Sequence, residues 1–523
     1  MPRWQRRLCY AVIVSQLAVM MPLVPVQAHA QSLPDLGDSS DAVLSEPQER
    51  AIGKRIMLEI RSDPAYIEDP EIVEYITSLG TRLVAASRGA TNDNRRDFEF
   101  FILNDDAINA FALLGGFIAV HSGLLLTTTN ESELAGVVGH EIAHILQRHQ
   151  SRGADEQRKA APLSLLGLAA AILAARSKSP SSGEAAQAAL TASVALTYQN
   201  QLNYSRDFER EADRLGLLVM QRAGFSPSGM PSFFERMLRA NRHNDGKTPG
   251  YLRSHPLTTE RIADMQDRVQ QMGADGKRTY PDSLEYRLTS AKLRVMSLGA
   301  ADAAGFFRNT IAERTVLRSR ADVYGLALAL ARGRDFVGAE KELTTIRNAG
   351  PVHPWIENMA AEIQVGQRKY PTALAIYQAA MKAFPAHRAL LYGYLNTLYE
   401  SGQVEPALAA TNEQLKTIQD DPKLYELAGK IYERKDKRLA QHRMIGEAYF
   451  RRGNLVGAIE QYEIAIKSRD GDFYESSSAE SRLRELKAEF RNRALLPGEK
   501  RERDRDDPGT RPGLSFGVVP LKR

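Results

Sequence analysis

The chain has 523 residues, which is more than one hydrophobic core usually supports, so we expect two or three domains. With 43% hydrophobic and 25% charged residues the composition is that of a globular protein, and no apolar run reaches the roughly 20 residues of a permanent membrane span. The formal net charge is only +5, and three arginines of the first ten residues contribute to it, so the charge gives no indication of nucleic-acid binding.

Residues 1–30 have the pattern of a cleaved signal peptide. The arginines precede an apolar stretch from Leu8 to Val26, and Ala28-His29-Ala30 has the small-x-small form of a cleavage site. An uncleaved anchor is the alternative, which the glutamine and prolines inside the stretch disfavour. In both cases the body is exported. The only cysteine, Cys9, lies in this segment, so the mature chain can form no disulfide.

Residues 31–45 read as a flexible leader, and helical spacing begins at Glu46 to Arg61, where the first domain starts. We assign residues 46–270 to this domain. Aromatic and β-branched residues predict strands at Asp97 to Leu103 and at Gly116 to Val120, separated by the loop Asn104 to Asn109.

A helix is predicted after Asn130, a good N-cap residue with Glu133 at the capping-box position. This helix contains His140-Glu141-Ile142-Ala143-His144, in which the two histidines project from one face and can share one metal ion. Glu141 is then positioned to take a proton from a metal-bound water. A surface helix with two histidines is the alternative. His149 is nine positions from His140, on the opposite side of a continuous helix, so we expect it to be solvated and away from the metal.

An apolar run from Leu163 to Ala175 opens the segment 163–200 and is too short to cross a membrane. A buried helix hairpin is the favoured interpretation. A mobile flap over the active site and a segment resting on a membrane are the alternatives.

The stretch from Ser205 to Asp213 offers the third ligand that a catalytic metal needs. Glu209 and Asp213 are four residues apart on a second predicted helix. Glu209 can bind the metal while Asp213 accepts a hydrogen bond from the outer nitrogen of a ligand histidine. Glu211 points about 200° away from Glu209, so we expect a salt-bridged or solvated side chain.

The second half of the chain has a period of 34 residues, at which Ala339, Ala373 and Ala407 recur. These alanines fit the small positions of tetratricopeptide repeats. Ala458 follows Ala407 after 51 residues, one and a half periods, so one helix around Leu439 to Arg451 would serve two successive units. We predict a helical connector at 271–315, about four stacked repeats at 316–470, and a charged, disordered tail at 471–523.

The H-E-I-A-H motif, the string S-R-x-x-E-x-E-A-D-x-x-G from Ser205 to Gly216, and N-A-F-A followed by Gly-Gly before a strand resemble the Ste-type (prenyl-protease-like) family of gluzincin metallopeptidases. The resemblance implies an α+β, mainly helical fold, with a zincin-like metalloprotease domain followed by the all-α tetratricopeptide-type solenoid. It implies one Zn²⁺ per chain held by His140, His144 and Glu209, catalysis by Glu141 and a supporting role for Asp213.

The same resemblance implies a substrate cleft along the first strands, where an extended substrate backbone pairs with the protein. The cleft residues would be Asn109, Gly116, Phe117, Ile118, Ala119 and Val120. Leu114 stands where the family commonly has proline, which would leave the cleft edge less rigid. His121 is expected to be a structural histidine.

His255, within Arg253-Ser254-His255-Pro256, matches a later motif of the family. It is a candidate catalytic group that contacts the oxyanion of the tetrahedral intermediate. It is equally compatible with a closed resting state in which it takes the fourth zinc position, and an ordinary core histidine is the third interpretation.

These observations predict an exported, zinc-dependent endopeptidase of the periplasm. The resemblance implies that it cleaves misfolded or misassembled envelope proteins in outer-membrane quality control, with unfolded outer-membrane β-barrel proteins as substrates and the barrel-assembly machinery as a partner of the repeats. No nucleic acid and no permanent membrane span after signal cleavage are expected. The alternative is a chaperone-like binding scaffold with a closed or vestigial metal site.

Overall fold

The computed structural model describes residues 45–88, 96–157, 206–242, 249–313 and 319–492. The predicted signal, nearly all of the leader, Ser205 and the segment 163–200 lie outside the described residues. Among the helices of the described ranges, none has both the length and the apolar composition that crossing a bilayer requires.

Helices and a small sheet alternate in the N-terminal region. Its first elements are α1 (Glu46–Ser62), α2 (Pro70–Ser87), β1 (Glu99–Leu103), β2 (Ala110–Leu113), β3 (Phe117–His121), α3 (Ser122–Thr127), α4 (Glu131–Leu146) and α5 (His149–Gln157). They are followed by α6 (Arg206–Arg222), α7 (Gly229–Arg242), α8 (Gly250–Ser254), α9 (Thr259–Gln271) and α10 (Ala274–Lys277). The predicted first helix, both predicted strands and the helix after Asn130 are present. Strand β2 was not predicted, because four residues are too few to show a period of two.

The three strands are ordered β1-β3-β2, so β3 lies in the middle of the sheet. It pairs in parallel with β1, where Phe101 is opposite Ala119, and antiparallel with β2, where Phe111 is opposite the same residue. A central strand has no free backbone groups for a substrate. The prediction that the strand after Gly116 pairs with substrate is therefore wrong. Of these three strands, β2 is the edge that lies beside α4.

Helix α4 is the centre of the N-terminal core. All of its residues are buried, and α2, α6, α7 and strand β2 pack around it. An α-helix without an exposed face can carry polar side chains only where other elements supply partners. The polar residues of α4 must therefore meet groups from the surrounding helices.

The described part of the C-terminal half consists of helices, most of them joined by short turns. They are α11 (Leu284–Leu298), α12 (Ala300–Glu313), α13 (Arg320–Arg332), α14 (Phe336–Arg347), α15 (Pro354–Gly366), α16 (Tyr370–Ala383), α17 (Arg388–Glu400), α18 (Val404–Thr417), α19 (Pro422–Arg434), α20 (Arg438–Arg451), α21 (Leu455–Lys467) and α22 (Phe473–Asn492). The mainly helical fold with stacked repeats agrees with the sequence prediction. The alanines that defined the period, Ala339, Ala373 and Ala407, are all completely buried.

The 34-residue period is also visible in the turns between paired helices. A residue with positive φ occupies each of these turns at Arg334, Arg368, Gly402 and Asp436, at intervals of 34. The next such residue is Gly453, which follows after 17. Helix α20 lies between the last two turns and packs against both α19 and α21. It therefore serves as the second helix of one unit and the first helix of the next, as the spacing of Ala458 indicates.

The prediction of a disordered tail from residue 471 is wrong for residues 473–492. These residues form α22, which packs against α21 with Ala479 and Leu486 buried. Only one face of this helix packs against α21, so most of its residues are polar. Its composition therefore resembles that of a solvated segment. The rest of the predicted tail lies beyond the described residues.

The repeats pack directly on the N-terminal region. Lys292 of α11 is buried and forms ion pairs with Asp69, which caps α2, and with Glu71 in its first turn. Asn358 of α15 donates a hydrogen bond to the Glu71 carboxylate (3.1 Å). One hydrophobic cluster extends from Ile67 to Ile363, so the two regions share a core.

Candidate metal centre

Helix α4 holds the three polar residues of the H-E-x-x-H motif in the buried core. At its start the Asn130 side chain accepts a hydrogen bond from the Glu133 N–H (3.0 Å), and the Glu133 carboxylate accepts one from the N–H of Thr129 (2.7 Å). The capping arrangement therefore reaches one residue further back than predicted. His140 and His144 are one turn apart, and their Nε2 atoms are 3.0 Å from each other.

Helix α6 brings Glu209 to the same point. Its two carboxylate oxygens lie 3.4 Å from Nε2 of His140 and 3.5 Å from Nε2 of His144. The two helices can approach this closely because α6 has a glycine where they cross. A Cβ on Gly216 would lie 3.2 Å from the backbone nitrogen of His140 and 2.8 Å from Cε of Met230.

His255 completes the buried cluster from a different direction. It follows the short helix α8, and its Nδ1 lies 3.0 Å from Oε1 of Glu209 and 3.4 Å from Nε2 of His140. Its other ring nitrogen is 3.4 Å from Oε1 of Glu141. His255 therefore lies between the predicted ligands and the predicted catalytic carboxylate.

The donor set fits a tetrahedral metal ion. His140, His144, Glu209 and His255 each offer one ligand atom, and these atoms lie within 4.8 Å of one another. Bonds of about 2.0–2.1 Å to a tetrahedral Zn²⁺ place neighbouring ligand atoms roughly 3.4 Å apart. Most separations in the cluster, between 3.0 and 3.5 Å, are close to that value.

Glu141 is completely buried, and its carboxylate lies 3.4 Å from Nε2 of His255 and beside the backbone N–H of Ala112. A fully buried carboxylate with so few contacts is costly, so it calls for a specific reason. A proton-transfer role next to the metal centre provides one.

Asp213 lies beside His140, and Arg261 contacts both acidic groups, Asp213 and Glu209. Asp213 lies 3.0 Å from Nδ1 of His140. Arg261 of α9 donates two hydrogen bonds of 2.8 Å to Asp213, lies 2.8 Å from Glu209, and donates to the carbonyl of Pro256 beside His255. Sequence reasoning missed Arg261, because nothing in its local sequence distinguishes it from an exposed helical arginine.

The expectation that His149 is solvated and away from the centre is wrong. Helix α4 ends at Leu146, and the turn through Arg148, with φ of 52°, redirects the chain. His149 is buried, and its Nδ1 lies 2.8 Å from Nδ1 of His144. Its Nε2 lies 3.1 Å from Glu211, which also pairs with Arg152 as its predicted salt-bridging role requires.

The acidic groups around the cluster control which histidine takes up a proton in the absence of a metal. Burial lowers the pKa of His140, but Asp213 and Glu209 outweigh it and raise this pKa to about 9. Burial holds the pKa of His144 well below its usual value. Burial disfavours the ionised Glu209, but His255, His140 and His144 outweigh it and hold its pKa well below the usual value. Burial raises the pKa of Glu141, as a general base that works near neutral pH requires.

The remaining predicted residues lie at the start of β2 and at the end of β3. Asn109 is buried against the start of α8, where a Cβ on Gly250 would lie 3.4 Å from its Cγ. The backbone N–H of Tyr251 donates to the carbonyl of Ile108 (3.2 Å), so the segment that carries His255 lies against the beginning of β2. His121 is buried, 3.4 Å from Asp105, which agrees with a structural role.

A buried H-E-x-x-H helix that faces a glutamate from a second helix, with the carboxylate of the motif beside the cluster, is the arrangement of a metallopeptidase. The comparison with known families agrees: residues 73–269 match peptidase family M48, and residues 364–431 match a tetratricopeptide repeat. The chain belongs to peptidase family M48 and is a metalloprotease with a repeat region behind its catalytic region.

Proteins of several bacteria are similar to this chain over more than half of its length. The beta-barrel assembly-enhancing protease of Escherichia coli (strain K12) is 33% identical over 434 residues, which are 82% of this chain and 86% of that protein. The putative beta-barrel assembly-enhancing protease of Vibrio cholerae is 36% identical over 344 residues, 64% and 68% of the two chains. Among solved structures, the tetratricopeptide protein YrrB is 15% identical to this chain. The match covers 37% of this chain and 97% of that protein, with a TM-score of 0.26.

Proposed function

We propose that the chain is an exported zinc endopeptidase that cleaves misfolded or misassembled outer-membrane β-barrel proteins in the periplasm. The observation that carries the proposal is the buried cluster of His140, His144 and Glu209 beside the buried carboxylate of Glu141. The relatives that cover most of the chain are named for enhancing β-barrel assembly, which supports this substrate class. The signal-like N-terminus supports export to the periplasm.

Two imidazoles and one carboxylate with a position left for water are the donor set typical of catalytic zinc. When bound, zinc would polarise the scissile carbonyl and lower the pKa of the attacking water. His140, His144 and Glu209 would hold it, while Asp213 and Arg261 keep His140 and Glu209 in position. Glu141 would take the proton of the water and deliver it to the leaving amine.

His255 has two proposed roles that remain alternatives. If substrate displaces its ring from the cluster, it can contact the oxyanion as a catalytic group. If it stays in the fourth position, it closes the site. A His255→Ala variant, assayed for peptide hydrolysis, distinguishes them: loss of activity supports the catalytic role and a gain supports the closed state. An unchanged rate would contradict both roles.

We propose the outer edge of β2 as the surface that pairs with substrate, in place of β3. The backbone N–H of His121 in β3 donates a hydrogen bond to the carbonyl of Asn109. In an antiparallel pair of strands, hydrogen-bonded residues alternate with residues whose N–H and C=O groups point away from the partner strand, and Ala110 and Ala112 are of the second kind. Gln150 of α5 donates a hydrogen bond to the carbonyl of Ala112 (2.6 Å). An extended substrate would replace this contact with backbone hydrogen bonds. The repeats would recruit the substrate and bind the barrel-assembly machinery.

The proposal is tested by degradation of an unfolded β-barrel protein, with wild type and Glu141→Gln compared and the bound metal counted in both. The substitution keeps the three ligands and removes the base. We expect about one zinc per chain in both proteins and cleavage by the wild type only. A wild type that holds zinc and does not cleave would contradict the endopeptidase proposal.

The second candidate function is a chaperone-like scaffold with a closed metal site. The observation that favours it is the position of His255, which lies against both Glu209 and Glu141. In that case the purified chain would suppress aggregation of an unfolded β-barrel protein equally well as wild type and as Glu141→Gln.

A further inference from the structure

His149 lies directly behind His144, on the side away from the metal position. Nε2 of His144 faces His140 and Glu209, and Nδ1 of His144 faces Nδ1 of His149 at 2.8 Å. His149 is 1% exposed, and its ring stacks on Phe208 of α6 with centroids 4.7 Å apart and planes 11° apart. The imidazole therefore has one fixed orientation.

The contact continues from His149 to an acidic group at the surface. Nε2 of His149 lies 3.1 Å from Oε2 of Glu211, whose side chain is 38% exposed. Arg152 of α5 pairs with the same oxygen at 2.9 Å and lies over the Phe208 ring. His149 and Glu211 thus connect the candidate ligand His144 to solvent.

Only one arrangement of protons satisfies every contact when His144 binds a metal. Nε2 of His144 must then carry a lone pair, so its proton sits on Nδ1 and is donated to Nδ1 of His149. Nδ1 of His149 accepts, so the single proton of that ring sits on Nε2 and is donated to Glu211. A doubly protonated His149 would oppose two N–H groups across the 2.8 Å contact with His144.

We infer that His149 and Glu211 are positioning residues that hold His144 in the tautomer and orientation required for metal binding. The inference rests on the proposed metal-binding role of His144. Metal ligands of this type commonly donate their second N–H to a fixed acceptor, and loss of that acceptor typically weakens metal binding 10- to 100-fold.

Helix α6 then supports both ligand histidines as well as supplying a ligand. Asp213 contacts His140 directly, because it is one turn from Glu209 on the same face. Glu211 is two residues from Glu209 and points to another side of the helix, out of direct reach of His144. The ring of His149 lies between Glu211 and His144 and contacts both, which explains why this imidazole is buried.

The test compares His149→Phe with His149→Asn. Phenylalanine fills the space and preserves the stack on Phe208 but removes the acceptor, whereas the side-chain oxygen of asparagine can accept at the position of Nδ1. Cobalt binding is measured by competition with a chelator, together with the cobalt visible spectrum and the thermal unfolding of the metal-free proteins. We expect roughly 10- to 100-fold weaker binding and an altered spectrum for His149→Phe, and near wild-type values for His149→Asn.

A second pair of variants tests the inference without changing a buried side chain. Glu211 is partly exposed, so Glu211→Leu and Glu211→Gln are expected to fold. Leucine leaves the His149 N–H without an acceptor and should weaken cobalt binding about tenfold, whereas glutamine keeps an acceptor and should have a smaller effect. His387→Phe, at a buried histidine of the repeats, is the matched control and should bind cobalt like the wild type.

Wild-type affinity and spectrum in both His149→Phe and Glu211→Leu would overturn the inference. Equal losses of cobalt affinity in His149→Phe and His149→Asn, with unchanged thermal unfolding, would also overturn it. The readout is metal binding, so a wild type that binds cobalt and fails to cleave protein would contradict the proposed protease function and leave this comparison decisive.

Discussion

At the scale of single residues, the centre depends on buried charges that satisfy one another. Asp213 accepts hydrogen bonds from Arg261 and lies beside His140. Glu209 lies beside three imidazoles and the same arginine. Each of these groups would be unfavourable alone in the core. The arrangement therefore holds the ligands in place before a metal arrives.

This arrangement predicts how metal binding depends on pH. The metal-free His140 has its pKa raised to about 9, while His144 stays neutral and Glu209 stays ionised. Below this pKa the metal must displace one proton, so its apparent affinity should rise about tenfold per pH unit between pH 7 and 9 and then level off. Chelator competition with cobalt across this range measures it.

Asp213→Asn provides the control for the pH dependence. It removes one of the two groups that raise the pKa of His140, so the rise in affinity should move to lower pH. For the metal-free wild type the raised pKa implies stabilisation that is full below about 6.5 and is lost as the pH rises through 9. A flat affinity profile in the wild type between pH 7 and 9 would contradict the assignment.

At the scale of elements, the centre depends on how closely α4 and α6 approach. A Cβ on Gly216 would lie 3.2 Å from the backbone nitrogen of His140, so a branched residue such as valine would push the helices apart. Separation moves Glu209 away from the two imidazoles. The local geometry of the site is thus set by a residue that takes no part in its chemistry.

We expect Gly216→Val to lose about 1–3 kcal/mol of unfolding free energy through overpacking and to bind cobalt more weakly. Urea unfolding and chelator competition measure the two effects. Gly305→Val is the matched control, because Gly305 lies on α12 with nothing within 4 Å of a Cβ placed there. It should change stability by no more than about 0.5 kcal/mol. Similar cobalt affinity in Gly216→Val and wild type would contradict the close-approach argument.

At the scale of the whole molecule, the repeats and the catalytic region form one packed unit. The joint contains a buried lysine between two carboxylates, which is favourable only while the set is complete. Burial, only partly opposed by Lys292, raises the pKa of Glu71 to about 8. The packing of the repeats on the catalytic region should therefore weaken when the charge of Lys292 is removed.

Lys292→Met should destabilise the protein by about 3–5 kcal/mol at pH 8, because it leaves the buried Glu71 and the partly exposed Asp69 without their cation. The carboxyls can remain buried when protonated, so the loss should be smaller at pH 5 than at pH 8. Urea unfolding at the two pH values measures this. Lys416→Met, which breaks an exposed pair with Glu413, should change stability by less than about 1 kcal/mol. Equal effects of the two variants would contradict a buried interface.

The sequence by itself determined the class of protein and the part of the centre that depends on helical periodicity. His140 and His144, and likewise Glu209 and Asp213, are one turn apart, so a continuous helix brings each pair to one face whatever surrounds it. The repeat helices follow for the same reason, because a 34-residue period of small residues is local and recurrent.

Only the tertiary structure decided the features that depend on a change of chain direction or on contacts between distant segments. Periodicity places His149 correctly only if α4 continues, and the turn at Arg148 ends it. Arg261 meets Asp213 across 48 residues of chain, and the central place of β3 depends on strand order, which no single strand encodes. These features arise from packing between elements, and a pattern within one element carries no information about which neighbour it meets.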